Sequence, residues 1–283
     1  MVEKNRLLFS FKTYMSVVRI RGSDGETINC TEGALHVMSD GAAGSTPPNL
    51  NIARGDESDL SNFQLNAYED AVGGTLKVFW TNAADCQFLT STVLIEIWST
   101  SANDTIAGSG AQVVEVNYIN DLMESVTSQI DMNGTTVVSV GEGYRVNSMR
   151  VIQAGSTMWN EGAIYTGYSS KSQVLNLIAY AQDGRERCGL WSTASNQNVY
   201  LKNVTYSNGG SHGCFVNLRI RDIASGLESM HSRCHITAAQ TQSQDLNWLK
   251  VPPGHDFYMT IQTGGSVTNI SATVNCVLET LGE

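Results

Sequence analysis

The stretch Trp98–Gly167 leaves little choice of fold. It alternates short runs of β-branched residues with turn residues at nearly regular intervals. Val113, Glu115 and Asn117 fall on one side of an extended chain, and Val114, Val116 and Tyr118 on the other. Gln129–Met132 meets Asn133-Gly134, and Thr135–Val140 follows. Asn-Gly between two β-forming runs is a hairpin signal, because a type I′ turn needs positive φ at both central residues. Arg145–Ile152 supplies one more strand, ended by Ala154-Gly155-Ser156. Runs this short leave no room for a helix of ordinary length.

The same rhythm continues on both sides. Strands are expected at Ser16–Ile20, Leu35–Met38, Leu76–Trp80, Val93–Trp98, Gln173–Tyr180, Gly189–Thr193, Val199–Tyr206, Phe215–Arg221 and His235–Ala238. Tyr258–Thr263 and Ile270–Leu278 read as a closing hairpin around Gly264-Gly265. Leu60–Val72 is the one stretch that reads as a short helix. The prediction is an all-β chain of antiparallel β-sandwiches, jelly-roll-like and two in tandem. Residues 1–50 form an N-terminal arm with the first strands, 51–168 the first sandwich, and 169–283 the second.

Composition narrows the partners. Charged residues make up 16% of the chain and the net charge is −10, so Ser, Thr, Asn, Gln and Gly carry the polarity. Broad contact with nucleic acid is not expected, since that affinity comes from neutralising phosphates. No apolar run is long enough for a membrane-crossing helix, and membrane insertion is not expected. Leu7, Leu8 and Phe9 are followed by Ser10, Lys12 and Thr13, which break the core of a signal peptide. The start of the chain is therefore expected to belong to the folded protein, made in a cytosol. Lys4, Arg6, Lys12, Arg19 and Arg21 make that arm basic, which suits docking on an acidic partner or guarding an edge strand. Arg54-Gly55-Asp56 is an integrin-type tripeptide in a polar loop, too short a match to imply adhesion.

Candidate chemistry is sparse. His212 and Cys214, with His231, Cys234 and His235, could edge a zinc site, but the spacing fits no standard module. A glycan-cleaving protein would need two facing carboxylates, for which Asp183, Glu186, Asp222 and Glu228 are the available acids. Trp80, Trp98, Trp159, Trp191 and Trp248 could stack on sugars, although packing is the commoner use of a large aromatic. Gly108-Ser109-Gly110 lies between strands and reads as a turn, where it cannot cap a helix over phosphate. No catalytic, cofactor-binding or metal-binding residue is assigned.

Three phrases resemble a family of virion structural proteins of marine bacteriophages and large DNA viruses of algae. The first is Ser99–Ala111, with Asn103-Asp104-Thr105 and Gly108-Ser109-Gly110. The second runs from Tyr144-Arg145-Val146-Asn147 through Ala154-Gly155-Ser156 to Asn160-Glu161-Gly162-Ala163-Ile164. The third runs from Val251-Pro252-Pro253-Gly254-His255-Asp256 to Ser271-Ala272. With Asn133-Gly134-Thr135-Thr136, the likeness covers roughly residues 93–283 and leaves 1–50 outside it. Leu190–Leu201 lacks the family's Pro-Ala-Gly turn.

The resemblance implies a non-enzymatic particle component: a minor capsid, decoration, spike or fibre protein, located in the virion and assembled in the host cytoplasm. The expected partners are further copies of the chain as a homotrimer, other capsid or virion proteins, and host-surface glycan. The alternatives are a carbohydrate- or receptor-binding adhesin and a glycan-degrading spike enzyme.

The six cysteines are widely spaced and form no framework, so free buried thiols are expected. Thiol titration of the denatured, unreduced protein should find most of the six. Three disulfides would instead place the chain in an oxidising compartment.

Overall fold

The computed structural model describes residues 28–31, 34–37, 52–53, 55, 57–70, 72–80, 86–179, 181–263, 265 and 269–282. The chain divides into two compact units, Met1–Ser58 and Asp59–Glu283. In the first, β1 (Ile28–Thr31) and β2 (Ala34–Val37) form an antiparallel ladder. The expected strand Ser16–Ile20, the basic residues from Lys4 to Arg21, and Arg54 and Asp56 lie outside the described residues.

The second unit is built of strands throughout, all paired antiparallel. β3 (Leu60–Glu69) forms one edge of a four-stranded sheet, followed by β17 (Ile270–Thr280), β12 (Gln197–Asn208) and β15 (Gln240–Val251). The facing sheet runs from β14 (Glu228–Ile236) through β13 (Cys214–Asp222) to β16 (His255–Thr263). The outer edge of β16 carries two short strands end to end. β4 (Lys77–Val78) pairs with Ile261 and Thr260, and β11 (Leu190–Ser192) with Tyr258, Phe257 and Asp256.

Counted as one strand, β4 and β11 make the topology plain. The eight strands then stand in the orders 1-8-3-6 and 2-7-4-5, which is a jelly roll. Its core is closed by inward residues of both sheets, among them Leu65, Val204, Tyr206, Val216, Phe257, Met259, Val274 and Cys276.

The second jelly-roll strand is spliced. Phe79 donates its N–H to the Met259 carbonyl at 2.8 Å, and the Gly189 carbonyl accepts from Met259 N–H at 2.8 Å. Gly189 N–H in turn donates to the Phe79 carbonyl at 2.8 Å. The chain thus leaves the strand at Phe79 and resumes it at Gly189. A Cβ on Gly189 would lie 2.9 Å from that carbonyl oxygen, so the splice leaves no space for a side chain.

The intervening segment forms a separate six-stranded sheet. Its order is β10 (Gln173–Ile178), β9 (Ile164–Tyr168), β5 (Val93–Ser99), β8 (Val138–Ala154), β6 (Ala111–Asn120) and β7 (Ser125–Asp131). Ile95, Ile97, Val114, Val116, Met149 and Ile164 lead its core. A third cluster, Val78, Trp80, Cys86, Leu177, Cys188, Leu190 and Tyr258, joins the insertion to the jelly roll.

Several expectations change. Leu60–Val72 is not helical: Phe63, Leu65, Ala67 and Glu69 alternate inward along β3, a period that fits a strand. Asn133-Gly134 does turn, with φ +58° at Gly134, but it does not join a hairpin. β7 pairs with β6, and β8 pairs with β6 and β5. Instead the turn packs on the loop after β5, where Gly134 N–H donates to the Asp104 carbonyl at 2.7 Å. β16 and β17 lie in different sheets and are likewise no hairpin. Val93–Trp98 is an interior strand of the insertion sheet, paired with β8 and β9. As for the expected segments 51–168 and 169–283, β3 and β4 join the C-terminal strands in the jelly roll, while β10 completes the inserted sheet.

One buried ion pair fixes the insertion to the jelly roll. Arg145 of β8 grips Asp256 of β16 with two bonds, Nε to Oδ1 at 3.1 Å and Nη2 to Oδ2 at 3.0 Å. Its Nη1 donates to the carbonyls of Leu89 and Tyr144. Ser192 Oγ donates to Asp256 Oδ1 at 2.6 Å. Beside it, Asn147 exchanges two 2.8 Å bonds with the Ser192 backbone, donating to the carbonyl and accepting from the N–H.

Removing one partner of a buried pair strands the other, at about 3–5 kcal/mol. Arg145→Met should therefore lower urea stability by that order, and Asp256→Asn should cost much less in the Arg145→Met background than alone. A loss below about 1 kcal/mol, within the range of exposed pairs, would show that the apolar cluster holds the insertion unaided.

Candidate functional site

The three sequence phrases converge on two polar centres. The first is Asp104, buried in the loop after β5. Its Oδ2 accepts from Ser99 Oγ at 2.5 Å and Gly162 N–H at 2.9 Å. Its Oδ1 accepts from Ala111 N–H at 2.8 Å and Glu161 N–H at 2.9 Å. Four donors saturate this carboxylate, so it ties two loops together and has no lone pair left for a substrate. Gly110 must lack a side chain there, because a Cβ would lie 2.2 Å from Asp104 Oδ1. Glu161 closes the rim, accepting from Asn103 Nδ2 at 2.6 Å and Ser109 Oγ at 2.5 Å. The second centre is the Arg145–Asp256 junction. Both stabilise structure, and composition alone gives no sign of either.

A cleft of about 450 Å³ opens where the insertion meets the side of the sandwich. Phe63 of β3 and Trp191 of β11 supply its aromatic wall, with ring centroids 4.3 Å apart and an interplanar angle of 32°. Met149 and Arg150 of β8 and Glu115 of β6 form the insertion's side, with Arg150 Nε donating to Glu115 Oε1 at 2.7 Å. The turn Asp183–Glu186 completes it. Asn160 positions that turn, accepting from Gly184 N–H at 3.0 Å through Oδ1 and from Gln182 N–H at 2.9 Å through its carbonyl.

Two of the four candidate acids therefore meet in this cleft, with one of the candidate tryptophans. Glu186 is buried and Oε2 accepts from Met149 N–H at 2.7 Å. Burial pushes its carboxyl up to about 7, against the pull of that N–H and of Arg185 and Arg150. Asp183 Oδ1 accepts from Arg187 Nη2 at 2.7 Å, while Asp183 Oδ2 has no hydrogen-bond partner. Trp191 Nε1 has none either.

The other two acids meet elsewhere. Asp222 and Glu228 line a cleft of about 410 Å³ with His231, Lys250 and His255. Glu228 is paired with Arg219 at 2.7 Å and also accepts from Tyr258 Oη. Asp222 accepts from Ser225 N–H at 2.6 Å, and such bonds hold its carboxyl below the usual range. Asp222 further lines a third cleft, of about 440 Å³, with Met123, Tyr144, Ser195, Pro253 and Gly254.

Alternation separates the candidate zinc residues. Cys214 and Cys234 point into the sandwich core, where burial raises both thiols, Cys214 to about 11. His231 and His235 are exposed on β14, and His235 packs on Phe215 at 4.8 Å between centroids. Protonated core thiols make poor metal ligands. No group of three or more His, Cys, Asp or Glu side chains is placed to hold a metal among the described residues. Cys86, Cys188, Cys214, Cys234 and Cys276 are free and buried.

Of the tryptophans, Trp80 and Trp98 are buried, with Trp98 stacked on Tyr165 at 5.6 Å. Trp159 and Trp248 are exposed, and Lys202 Nζ sits 5.1 Å from the Trp248 ring centre.

No family model matches this chain, and no curated protein does. Solved structures give only slight likenesses, and those named here are viral capsid proteins or particles. The T13 IBDV viral particle is 10% identical over 78% of this chain and 74% of that one, with a TM-score of 0.18. The infectious bursal disease virus Gx strain structure is 10% identical over 79% and 73%, with a TM-score of 0.23. The STIV MCP is 8% identical over 77% and 97%, with a TM-score of 0.20. At these scores the jelly-roll assignment rests on strand order alone.

Glu186 sets a pH dependence. Folded, it keeps its proton up to about 7, whereas the unfolded chain releases it near the ordinary 4.5. The folded state binds the extra proton between those values, so stability falls as pH rises through that window, by about 3 kcal/mol at most. Thermal melts of Glu186→Gln should lose this component and exceed the parent at pH 8. An unchanged pH profile would show that Glu186 is ionised in the folded protein.

Proposed function

We propose that this chain is a non-enzymatic structural subunit of a virus particle, part of the capsid or attached to it. The observation that carries this reading is the jelly-roll strand order with a complete sheet spliced into its second strand. Jelly rolls serve as capsid subunits and also as lectin and cupin domains, so the fold admits several roles. The resemblance of Ser99–Ala111, Tyr144–Ile164 and Val251–Ala272 to virion structural proteins selects the first. The polar knots those phrases form act as braces, which suits a chain whose task is to hold shape.

On this reading the jelly roll packs into or onto a shell, and the insertion supplies a second surface. Partners are further copies of the chain, as a trimer closed about a threefold axis, and neighbouring virion proteins. The place of work is the virion, with assembly in the host cytoplasm.

Light scattering and electron microscopy of the full chain test this. Trimers or closed shells are expected. A monomer at all concentrations that is retained on immobilised glycans would favour an adhesin. Release of reducing sugar from a polysaccharide would favour a spike enzyme.

A further inference from the structure

We propose that the cleft walled by Phe63, Trp191, Asp183, Glu186, Arg150 and Arg185 is a saccharide-binding site. The proposal holds whether or not the chain is a particle subunit. The volume of about 450 Å³ lies in the range of pockets that hold small ligands, roughly 300–1,000 Å³. One wall is apolar and aromatic, from the Phe63–Trp191 pair. The remainder carries carboxylates, guanidinium groups and the Gln64 amide.

Two unpartnered atoms narrow the ligand class. Asp183 Oδ2 is a buried acceptor, and Trp191 Nε1 a buried donor. A buried polar atom without a partner costs about 1–3 kcal/mol. Both atoms are shielded from solvent, so a ligand gains by whichever of them a small shift of the cleft wall opens to it. A hydroxyl group accepts from an indole N–H and donates to a carboxylate, and a polyhydroxylated molecule offers several such groups beside an apolar C–H face. Asp183 is preset for this, because Arg187 holds Oδ1 and leaves Oδ2 over.

Charge excludes the neighbouring classes. Glu115, Asp183 and Glu186 face Arg150 and Arg185, and Glu115 is already paired with Arg150. Glu186 is half protonated near neutrality. The cleft therefore has no surplus positive charge to draw a phosphate, which favours a neutral or weakly charged sugar. A ligand here would touch both insertion and jelly roll, since Arg150 belongs to the former and Phe63 and Trp191 to the latter.

The intact chain should be screened against immobilised neutral and sialylated oligosaccharides. The best binder should then be titrated free, following intrinsic tryptophan fluorescence, with inorganic phosphate and calcium chloride as parallel arms. At least one saccharide is expected to bind and to perturb the fluorescence. Trp191→Phe keeps an aromatic face but removes the indole N–H, and since it also removes a fluorophore its binding is read by retention on the immobilised saccharide. Asp183→Asn keeps the shape but removes the charge. Each should weaken binding about tenfold or more, with the circular dichroism of the parent retained. The proposal is overturned if no saccharide binds, if phosphate or calcium perturbs the fluorescence instead, or if both variants bind like the parent.

Discussion

The ion pair between Arg145 and Asp256 is the constraint on which the arrangement of the second unit depends. An insertion that leaves and re-enters a host strand at one point is free to swing unless something fixes it. Apolar contact between Leu177, Trp80 and Tyr258 supplies adhesion there but little direction. A two-bond guanidinium–carboxylate contact is directional, and burial makes every misalignment expensive. Arg145 is 1% exposed and Asp256 is fully buried, so both charges are removed from water. The Asn147–Ser192 exchange beside them acts as one more rung, joining β8 of the insertion to β11 of the jelly roll.

The splice explains how a jelly roll can host a second sheet without losing its own. Met259 sees Phe79 on one side of its peptide and Gly189 on the other, so β16 keeps a filled edge across the interruption. The sandwich core continues unbroken from Phe79 to Met259. Cys86 and Cys188 pack near the two ends of the insertion in the same small cluster, behaving as small apolar residues. Burial keeps the Cys188 thiol well above its usual range, consistent with an inert packing role.

Low charge is used consistently across the fold. Where other chains close loops with surface ion pairs, this one saturates a single buried carboxylate with main-chain and hydroxyl donors, as at Asp104. Most groups in such a network are neutral, so little net charge is buried and partner geometry sets the cost. Unpartnered buried polar atoms remain at several places, Asn198 Oδ1, Tyr206 Oη and Asn217 Oδ1 among them, but those of Asp183 and Trp191 belong to residues that line an open cleft with an aromatic wall.

The sequence by itself determined the fold class and many strand positions. Alternation in Val113–Tyr118 is a property of extended backbone and survives in β6. Asp104, Arg145, Asn147 and Asp256 all sit in the phrases that carry the resemblance, but the sequence did not mark them as braces. It failed wherever pairing is non-local. Gln240–Val251 lacks an alternating apolar pattern because β15 is an edge strand, exposed over most of its length. In a jelly roll most consecutive strands lie in opposite sheets, and only β13 and β14 pair as sequence neighbours. The Asn133-Gly134 turn therefore signals a reversal but not its partner. That Phe79 joins Gly189, that β3 closes against β17, and that Asp183, Glu186 and Trp191 share one cleft was decided by tertiary structure. Local periodicity reports which face of a strand is buried; which strand lies beside it depends on contacts between residues far apart in the chain.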